Sequence, residues 1–337
     1  MNKYGLIYNA KVLITGGAGF IGSNLVDSLL EQGNLVRVLD DFSTGFESNL
    51  EKHYNFADQK SINQNFELIR GDIRDQEVCA IACEGIDYVF HQAALGSVPR
   101  SINDPILTNS VNITGFLNML TASRDAKIKR FIYAASSSTY GDSKDLPKVE
   151  DNIGKPLSPY AVTKYVNELY ADVYYKTYGL ETMGLRYFNV YGRRQTPDGA
   201  YAAVIPLFVD HLIKHQSPQI NGDGGTSRDF TYIDNVIKLN QLAALSSDEA
   251  SFGQVFNCAC GDSTSLNELF NVLRTELSKF DADIAQVEVN YGPERAGDIR
   301  DSLADISKAK SLLKYDDIIG FEQGIKDCVQ WYWDNLK

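Results

Sequence analysis

The stretch that most restricts the fold is Lys11 to Gly22. A short apolar run, Lys11 to Thr15 (KVLIT), passes straight into Gly16-Gly17-Ala18-Gly19-Phe20-Ile21-Gly22. The pattern from Phe20 to Gln32 predicts an amphipathic helix directly after it, and Asn34 to Asp40 (NLVRVLD) predicts a second strand. A turn this tight between strand and helix favours residues without a Cβ. It also aims the N–H groups of the helix's first turn, and the positive end of the helix dipole, at whatever lies above the turn. Glycines at GxxGxxG spacing (Gly16, Gly19, Gly22) are a weak signal alone. Between a strand and a helix they describe a pyrophosphate cradle.

Asp40 closes the second strand about 20 residues beyond the glycines, where a carboxylate accepts hydrogen bonds from ribose hydroxyls and repels a 2′-phosphate. Asp41 adds a second negative charge, and Arg37 lies inside the strand, poorly placed to clamp a phosphate. NAD is therefore expected as cofactor, rather than NADP. Gly71-Asp72-Ile73 follows a third predicted strand, Phe66 to Arg70, at a sheet end suited to the adenine.

Strands and helices then alternate. Strands are predicted over Tyr88 to His91, Arg130 to Ala135 and Glu181 to Arg186, and helices over Glu77 to Cys83, Thr108 to Ser123 and Tyr160 to Tyr178. That alternation predicts an α/β protein, a Rossmann doubly wound parallel sheet with helices on both faces. Beyond Asn189 it fails. Arg193 to Gly199 and Asn221 to Arg228 read as loops, and the last third mixes short elements before an aromatic amphipathic helix, Phe321 to Leu336. We expect an NAD-binding Rossmann domain over 1–188, with a later contribution from about 229–260. A smaller mixed substrate-binding lobe is expected from 189–228 and 261–337.

A net charge of −12 argues against nucleic acid and anionic membrane as partners, since both need basic surface. It leaves room for a small anion in a locally basic pocket. Five cysteines without a Cys-x-x-Cys pair, beside only four histidines, predict neither a disulfide framework nor a metal site. The first ten residues lack a long apolar run and no stretch approaches a membrane span, so a cytoplasmic location is expected.

Tyr160-Ala161-Val162-Thr163-Lys164 puts a phenol and an ammonium on one helical face. Tyrosine titrates near 10 unaided, and a neighbouring lysine cation, together with the charge of oxidised nicotinamide, favours the phenolate that a base requires. In a chain with 19 tyrosines the spacing alone says little. The upstream run Phe131-Ile-Tyr-Ala-Ala-Ser-Ser-Ser-Thr-Tyr-Gly141 gives it weight, because it delivers serines to the strand end where open α/β sheets bind ligands.

These features occur together with His91-Gln-Ala-Ala94, Arg186-Tyr-Phe-Asn-Val-Tyr-Gly192 and Arg228-Asp-Phe230. In that order, over nearly the whole chain, the sequence resembles the extended short-chain dehydrogenases that act on nucleotide sugars. Within them it is most similar to the UDP-hexose 4-epimerases, in particular the branch handling N-acetylated sugars, whose Gly96-Ser97-Val98-Pro99-Arg100-Ser101 stretch it shares. The resemblance implies interconversion of UDP-GlcNAc and UDP-GalNAc through a 4-keto intermediate, with Tyr160 as the base, Ser136 and Ser138 assisting, and Lys164 holding the nicotinamide ribose. Beyond the glycine loop, Asp40, Asp41 and Asp72-Ile73, it implies that Phe42, Ser43 and Gly45 meet the cofactor, as do Gln92, Ala93, Ala94 and Tyr187.

For the UDP-sugar it implies contacts from Gly96, Ser97, Arg100, Ser137, Asn189, Val204 and Asn221. Arg228 and Arg295 match the phosphate-binding arginines of the family, and Asp298 a carboxylate near the uridine ribose. Ser302 falls where a bulky residue confines the pocket to plain hexoses, and a serine there leaves room for an acetamido group. A helix cap is the plain alternative for this serine. Related dehydratases carry Thr-Asp-Glu where this chain has Ser136-Ser137-Ser138, so the acid and base for eliminating water are missing. 4-Epimerisation of UDP-N-acetylhexosaminuronic acids, with Arg100 or Arg300 near a C6 carboxylate, and of UDP-glucose/galactose remain alternatives. Less favoured are a decarboxylase or dehydratase, and a silent NAD-binding scaffold. The helices 108–123 and 160–178 are expected to form a homodimer interface.

Overall fold

The computed structural model describes residues 7–197, 203–294 and 300–337. Its centre is a seven-stranded, all-parallel sheet. The strands are β1 (Lys11–Thr15), β2 (Leu35–Asp40), β3 (Phe66–Arg70), β4 (Tyr88–His91), β5 (Arg130–Ser136), β6 (Thr182–Tyr187) and β7 (Gln254–Cys258). Their order across the sheet is β7-β6-β5-β4-β1-β2-β3. Strand order therefore reverses between β1 and β4, and the crevice at such a reversal is where open α/β sheets bind ligands.

Helices cover both faces. On one side lie α1 (Phe20–Glu31) and α8 (Ile233–Leu245), backed by α7 (Val204–Ile213), α9 (Leu266–Leu277) and α11 (Phe321–Leu336). Their apolar stripes share a core with Val12, Ile14, Val36 and Val38 of the sheet. On the other side α2 (Gln76–Cys83), α5 (Phe116–Asp125) and α6 (Pro159–Tyr178) enclose Leu13, Leu39, Val89 and Phe131. Alternate residues of each strand thus feed opposite cores, which is why the strands read as continuous apolar runs.

The registers bring the C-terminal strand ends level. Thr15 lies opposite His91, His91 opposite Tyr133, and Ser136 opposite Tyr187. The glycine turn, the serine turn and Tyr187 therefore open on the same edge.

One sequence expectation needs correction, and one helix was not expected. The helix expected over 108–123 is α4 (Pro105–Asn109), then a π-helical turn over Ser110–Gly115, then α5. The cause lies in partners distant along the chain: the Asn112 carbonyl accepts from Asn167 Nδ2 at 2.7 Å, while its own side chain bonds both backbone groups of Leu95 and the Thr163 hydroxyl. A widened turn frees that carbonyl for its outside partner. Ahead of it, α3 (Val98–Asn103) was not anticipated, although Ser97 as N-cap and Pro99 in the first turn are ordinary start signals.

The remaining chain forms two-stranded ribbons, among them Ser227–Arg228 with Thr264–Ser265 and Gln219–Asn221 with Asn290–Gly292. Among the described residues no helix is long and apolar enough to cross a membrane, and no His/Cys/Asp/Glu group is set to hold a metal. All five cysteines are free thiols.

Candidate active site

A cleft with an empty volume of about 1330 Å³, open mouth included, runs along the strand ends from the glycine turn to Tyr160. Its floor is built by close approach. A Cβ on Gly16 would lie 2.7 Å from Ala93 N, so the turn after β1 and the loop after β4 touch through backbone alone. A Cβ on Gly22 would lie 2.0 Å from the Gly16 carbonyl oxygen. Gly19, as N-cap, has no side chain to cap α1, and no acidic residue sits in the first turn. The leading N–H groups of α1 are thus left for a ligand, and no carboxylate of that turn opposes an anion there. These residues fit a dinucleotide pyrophosphate.

Asp40 fixes the next part. Its Oδ2 accepts from Ala18 N and its Oδ1 from Phe42 N, both at 2.8 Å, which ties the end of β2 to the glycine turn. Burial pushes its carboxyl above the ordinary range, and the two N–H donors oppose that shift. Each oxygen keeps a lone pair for a ribose hydroxyl. Asp41, Ser43, Gly45, Asp72 and Ile73 line the same end of the cleft. Phe42 does not: its backbone is left-handed (φ 59°), and its ring packs edge-on against Phe56 at 5.8 Å under the Arg70 guanidinium. Thr44, Leu95 and Val111 line the cleft without having been singled out, because nothing local in the sequence marks them.

At the other end Gln92, Ala93, Ala94, Gly96, Ser136, Tyr160, Lys164 and Tyr187 converge. The Tyr187 hydroxyl donates to Gln92 Oε1 at 3.0 Å and accepts from Asn240 Nδ2 at 3.0 Å. Asn240 is fully buried on α8 and comes from far along the chain, so no local motif announced it. His91 is held by Thr15 Oγ1 at 2.8 Å, and burial, with Lys164 nearby, drops its imidazole to about 3. His91 is a neutral, structural ring at neutral pH.

Ser136 ends β5, and Ser137–Tyr140 turn away in a 3₁₀ helix. Ser136 Oγ accepts from Ser138 N at 3.2 Å and from Ser138 Oγ at 2.9 Å, so its own proton is free to point at Tyr160. Ser158 caps α6 and Pro159 opens it. Ser101 of α3 accepts from Tyr160 N at 3.0 Å, which seats the phenol. Lys164, only 4% exposed, donates to the Ala134 carbonyl at 2.8 Å, and burial lowers its ammonium to about 8 against a smaller opposing pull from Glu168.

Around Tyr160 the protein's own groups act in opposite directions. Burial raises the phenol, a hydrogen bond with Ser136 opposes the rise, and Lys164 Nζ stands 6.0 Å from the ring centroid.

The residues expected around a substrate are more dispersed. Ser97 caps α3 and carries Arg100 on its first turns. Asn189, at φ 32°, donates to the Asp229 carbonyl at 3.1 Å, and Asn221 lies in an exposed ribbon. Val204 opens α7. Arg228 Nη1 is held by the carbonyls of Ser227 and Arg300. Arg295 and Asp298 lie outside the described residues. Ser302 is not a helix cap, since the next helix begins at Ser307 with Ile306 as its cap. Its N–H instead donates to the Ser227 carbonyl at 3.2 Å, beside Arg228. Asp229, fully buried, was not expected. Its carboxylate accepts from the N–H groups of Cys260, Gly261 and Ala304, gathering three segments around that arginine, and burial raises it to about 6.

A profile of the NAD dependent epimerase/dehydratase family matches residues 12–259. Among solved structures the fold is similar to UDP-N-acetylglucosamine 4-epimerase from Methanobrevibacter ruminantium M1, in complex with UDP-N-acetylmuramic acid (TM-score 0.88, 37% identity, 97% of this chain and 99% of that one). It is also similar to UDP-glucose 4-epimerase from Thermotoga maritima with UDP-glucose (TM-score 0.85, 35% identity, 97% and 100%). In sequence it is 34% identical to UDP-glucose 4-epimerase of Mycolicibacterium smegmatis over 96% of this chain and 98% of that protein.

Proposed function

Because this chain belongs to the NAD-dependent epimerase/dehydratase family, we propose that it is a UDP-sugar 4-epimerase and that it acts on UDP-N-acetylhexosamines. One observation carries the reaction class. Ser136, Tyr160 and Lys164 meet at the far end of the cleft that begins at the glycine turn and Asp40. The carboxylates lining that cleft among the described residues are Asp40, Asp41 and Asp72, all at the ends of β2 and β3. The serine end thus offers a phenol but no carboxyl pair, which suits proton exchange at one hydroxyl and not elimination of water.

NAD, when bound, supplies the reversible acceptor for the hydrogen on the sugar's C4. The protein's part is proton handling and orientation. Tyr160 takes the proton of the 4-hydroxyl and gives it back after the sugar has turned. Ser136 holds the reacting oxygen, and Ser138 holds Ser136 by two hydrogen bonds. Lys164, anchored on Ala134, keeps a positive charge beside the phenol's face and is one donor set for the nicotinamide ribose. The Tyr187–Gln92–Asn240 cluster fixes the wall around them.

The preference for N-acetylated sugars rests on Ser302, whose small side chain stands on the segment beside Arg228. A uronic-acid reading is the second choice and rests on Arg100 of α3, since Arg300 pairs with Asp223 on the exposed surface. Homodimerisation belongs to the same proposal. Val162, Leu169 and Val173 of α6, with Ile106 and Leu107 of α4, expose apolar side chains on neighbouring helices.

Purified protein incubated separately with UDP-GlcNAc, UDP-Glc and UDP-GlcNAcA, without added NAD, tests the reading by chromatography of the products. A UDP-GlcNAc/UDP-GalNAc mixture is expected, and turnover of none of them would refute it. Ser302→Tyr should depress the acetylated substrate most. Equal loss on UDP-Glc removes the pocket assignment.

A further inference from the structure

The wall at the serine end of the cleft is held from outside the cleft. Gln92 follows β4 and Tyr187 ends β6, and both line the cleft with Ser136, Tyr160 and Lys164. Behind them stands Asn240 of α8, fully buried and absent from the lining. The three side chains close a ring of hydrogen bonds. Asn240 Nδ2 donates to the Tyr187 hydroxyl at 3.0 Å, that hydroxyl donates to Gln92 Oε1 at 3.0 Å, and Gln92 Nε2 donates to Asn240 Oδ1 at 3.3 Å.

One carbonyl sets the direction of every bond in the ring. Asn240 Nδ2 also donates to the Val236 carbonyl, one turn back on α8, at 2.8 Å. A carbonyl only accepts, so the nitrogen of Asn240 must face it and the oxygen is left for Gln92. Gln92 must then present its own nitrogen to that oxygen, which leaves Gln92 Oε1 for the Tyr187 proton. The helix that starts this chain of constraints is itself anchored at both ends. Near its start Asn235 donates to the Ile319 carbonyl at 2.8 Å. At its C-terminal end Arg130 Nη1 donates to the carbonyls of Ala243, Ala244 and Ser246.

The ring also separates the work of the two tyrosines at this end. The Tyr187 proton is committed to Gln92, and burial pushes its phenol well above the ordinary range, so Tyr187 is a neutral wall and proton exchange is left to Tyr160. The glycine turn and Asp40 fit the pyrophosphate and the adenosine ribose at the opposite end, so a dinucleotide spanning the cleft brings its nicotinamide half to the serine end. We propose that Asn240 is a positioning residue for the nicotinamide half of the cofactor, acting through Gln92 and Tyr187 without touching the cofactor itself. The inference rests on the reading of this cleft as a dinucleotide site with the nicotinamide beside Ser136 and Tyr160.

The test is a competition on the full chain, purified with the cofactor it carries. The protein is dialysed to equilibrium against mixtures of NADH and ADP-ribose, which lacks only the nicotinamide, and the bound nucleotides are quantified by chromatography. Asn240→Leu is close in size and removes both ends of the amide. Asn240→Asp keeps the size and an acceptor for Gln92 but loses the donor to Tyr187. Asn240→Leu should shift the bound ratio about tenfold toward ADP-ribose, and Asn240→Asp about threefold or more. A general loosening of the fold weakens both probes alike, because they share the pyrophosphate and adenosine contacts, and leaves the ratio where it was. A ratio within about twofold of the parent's in both variants, or in whichever of them melts cooperatively, overturns the proposal. A parent that retains neither probe refutes the cleft assignment and the proposal with it, whereas a parent that binds both, beside variants with an unchanged ratio, refutes the proposal alone.

Discussion

Gly22→Ala isolates one methyl group at the root of the cofactor site. The new Cβ would lie 2.0 Å from the Gly16 carbonyl oxygen, 2.8 Å from the Gly16 carbonyl carbon and 2.9 Å from Gly17 Cα. All three are backbone atoms, so no side chain can swing aside. Reaching even 3.0 Å requires the first turn of α1 and the turn after β1 to part by about 1 Å. Two effects compete in stability. Alanine is the better helix former by about 1 kcal/mol, while overpacking costs about 1–3 kcal/mol. The net loss of stability is therefore small, about 1 kcal/mol, and a poor readout. Cofactor affinity is the sensitive one, because that gap is also the pyrophosphate cradle. A displacement of about 1 Å in a positioned site costs on the order of a hundredfold, or about 2.7 kcal/mol of binding. The assay is fluorescence titration of NADH into cofactor-stripped protein, beside Gly320→Ala, where the built Cβ meets nothing within 4 Å. Gly320→Ala should bind like the parent. Gly22→Ala binding within about threefold of the parent would refute the claim that close backbone approach makes the cradle.

Three further outcomes are expected. Tyr160→Phe should lower epimerisation by about 10²–10⁴-fold while UDP-sugar binding by calorimetry stays near the parent's. Lys164 sits at about 8 in the folded protein against 10.5 ordinarily, so between those values the unfolded chain binds the extra proton and stability rises with pH. Urea unfolding of cofactor-free protein at pH 8 and 10 should show that rise, at most about 3 kcal/mol, relative to Lys164→Met. Arg186→Met should cost about 3–5 kcal/mol, because Arg186 grips Glu168 twice, at 2.9 and 2.7 Å, in a site where both are nearly fully buried. Arg186→Met/Glu168→Met should recover much of that in thermal melts, since it leaves no stranded carboxylate.

The parts of the molecule legible in the sequence are those whose cause is local. Lys11–Thr15, the glycines and Asp40 announce their places in the fold within thirty residues, as does the Tyr160/Lys164 pair behind the cap at Ser158. The parts that escaped depend on distant partners. β7 was not recognised, because Gln254–Cys258 mixes polar and apolar residues and becomes a strand by pairing with β6. The widened turn at Ser110–Gly115 depends on Asn167 reaching across from α6. The two-residue ribbons around Arg228 are too short to carry a period and are gathered by the buried Asp229. The ring of Phe42 turns on a left-handed backbone to Phe56, a partner that its neighbours in sequence do not announce.

The place of β7 at the end of the sheet has a consequence for biogenesis. The strand it pairs with, β6, ends at Tyr187, yet β7 begins only at Gln254. A ribosome must therefore deliver more than sixty further residues before the open flank of β6 can close. Until then the nascent chain displays the unpaired groups of Thr182–Tyr187, a buried and largely apolar strand in the finished molecule. The interval between those two strands is when this polypeptide is most exposed to misassociation with its neighbours, and most in need of a chaperone's attention.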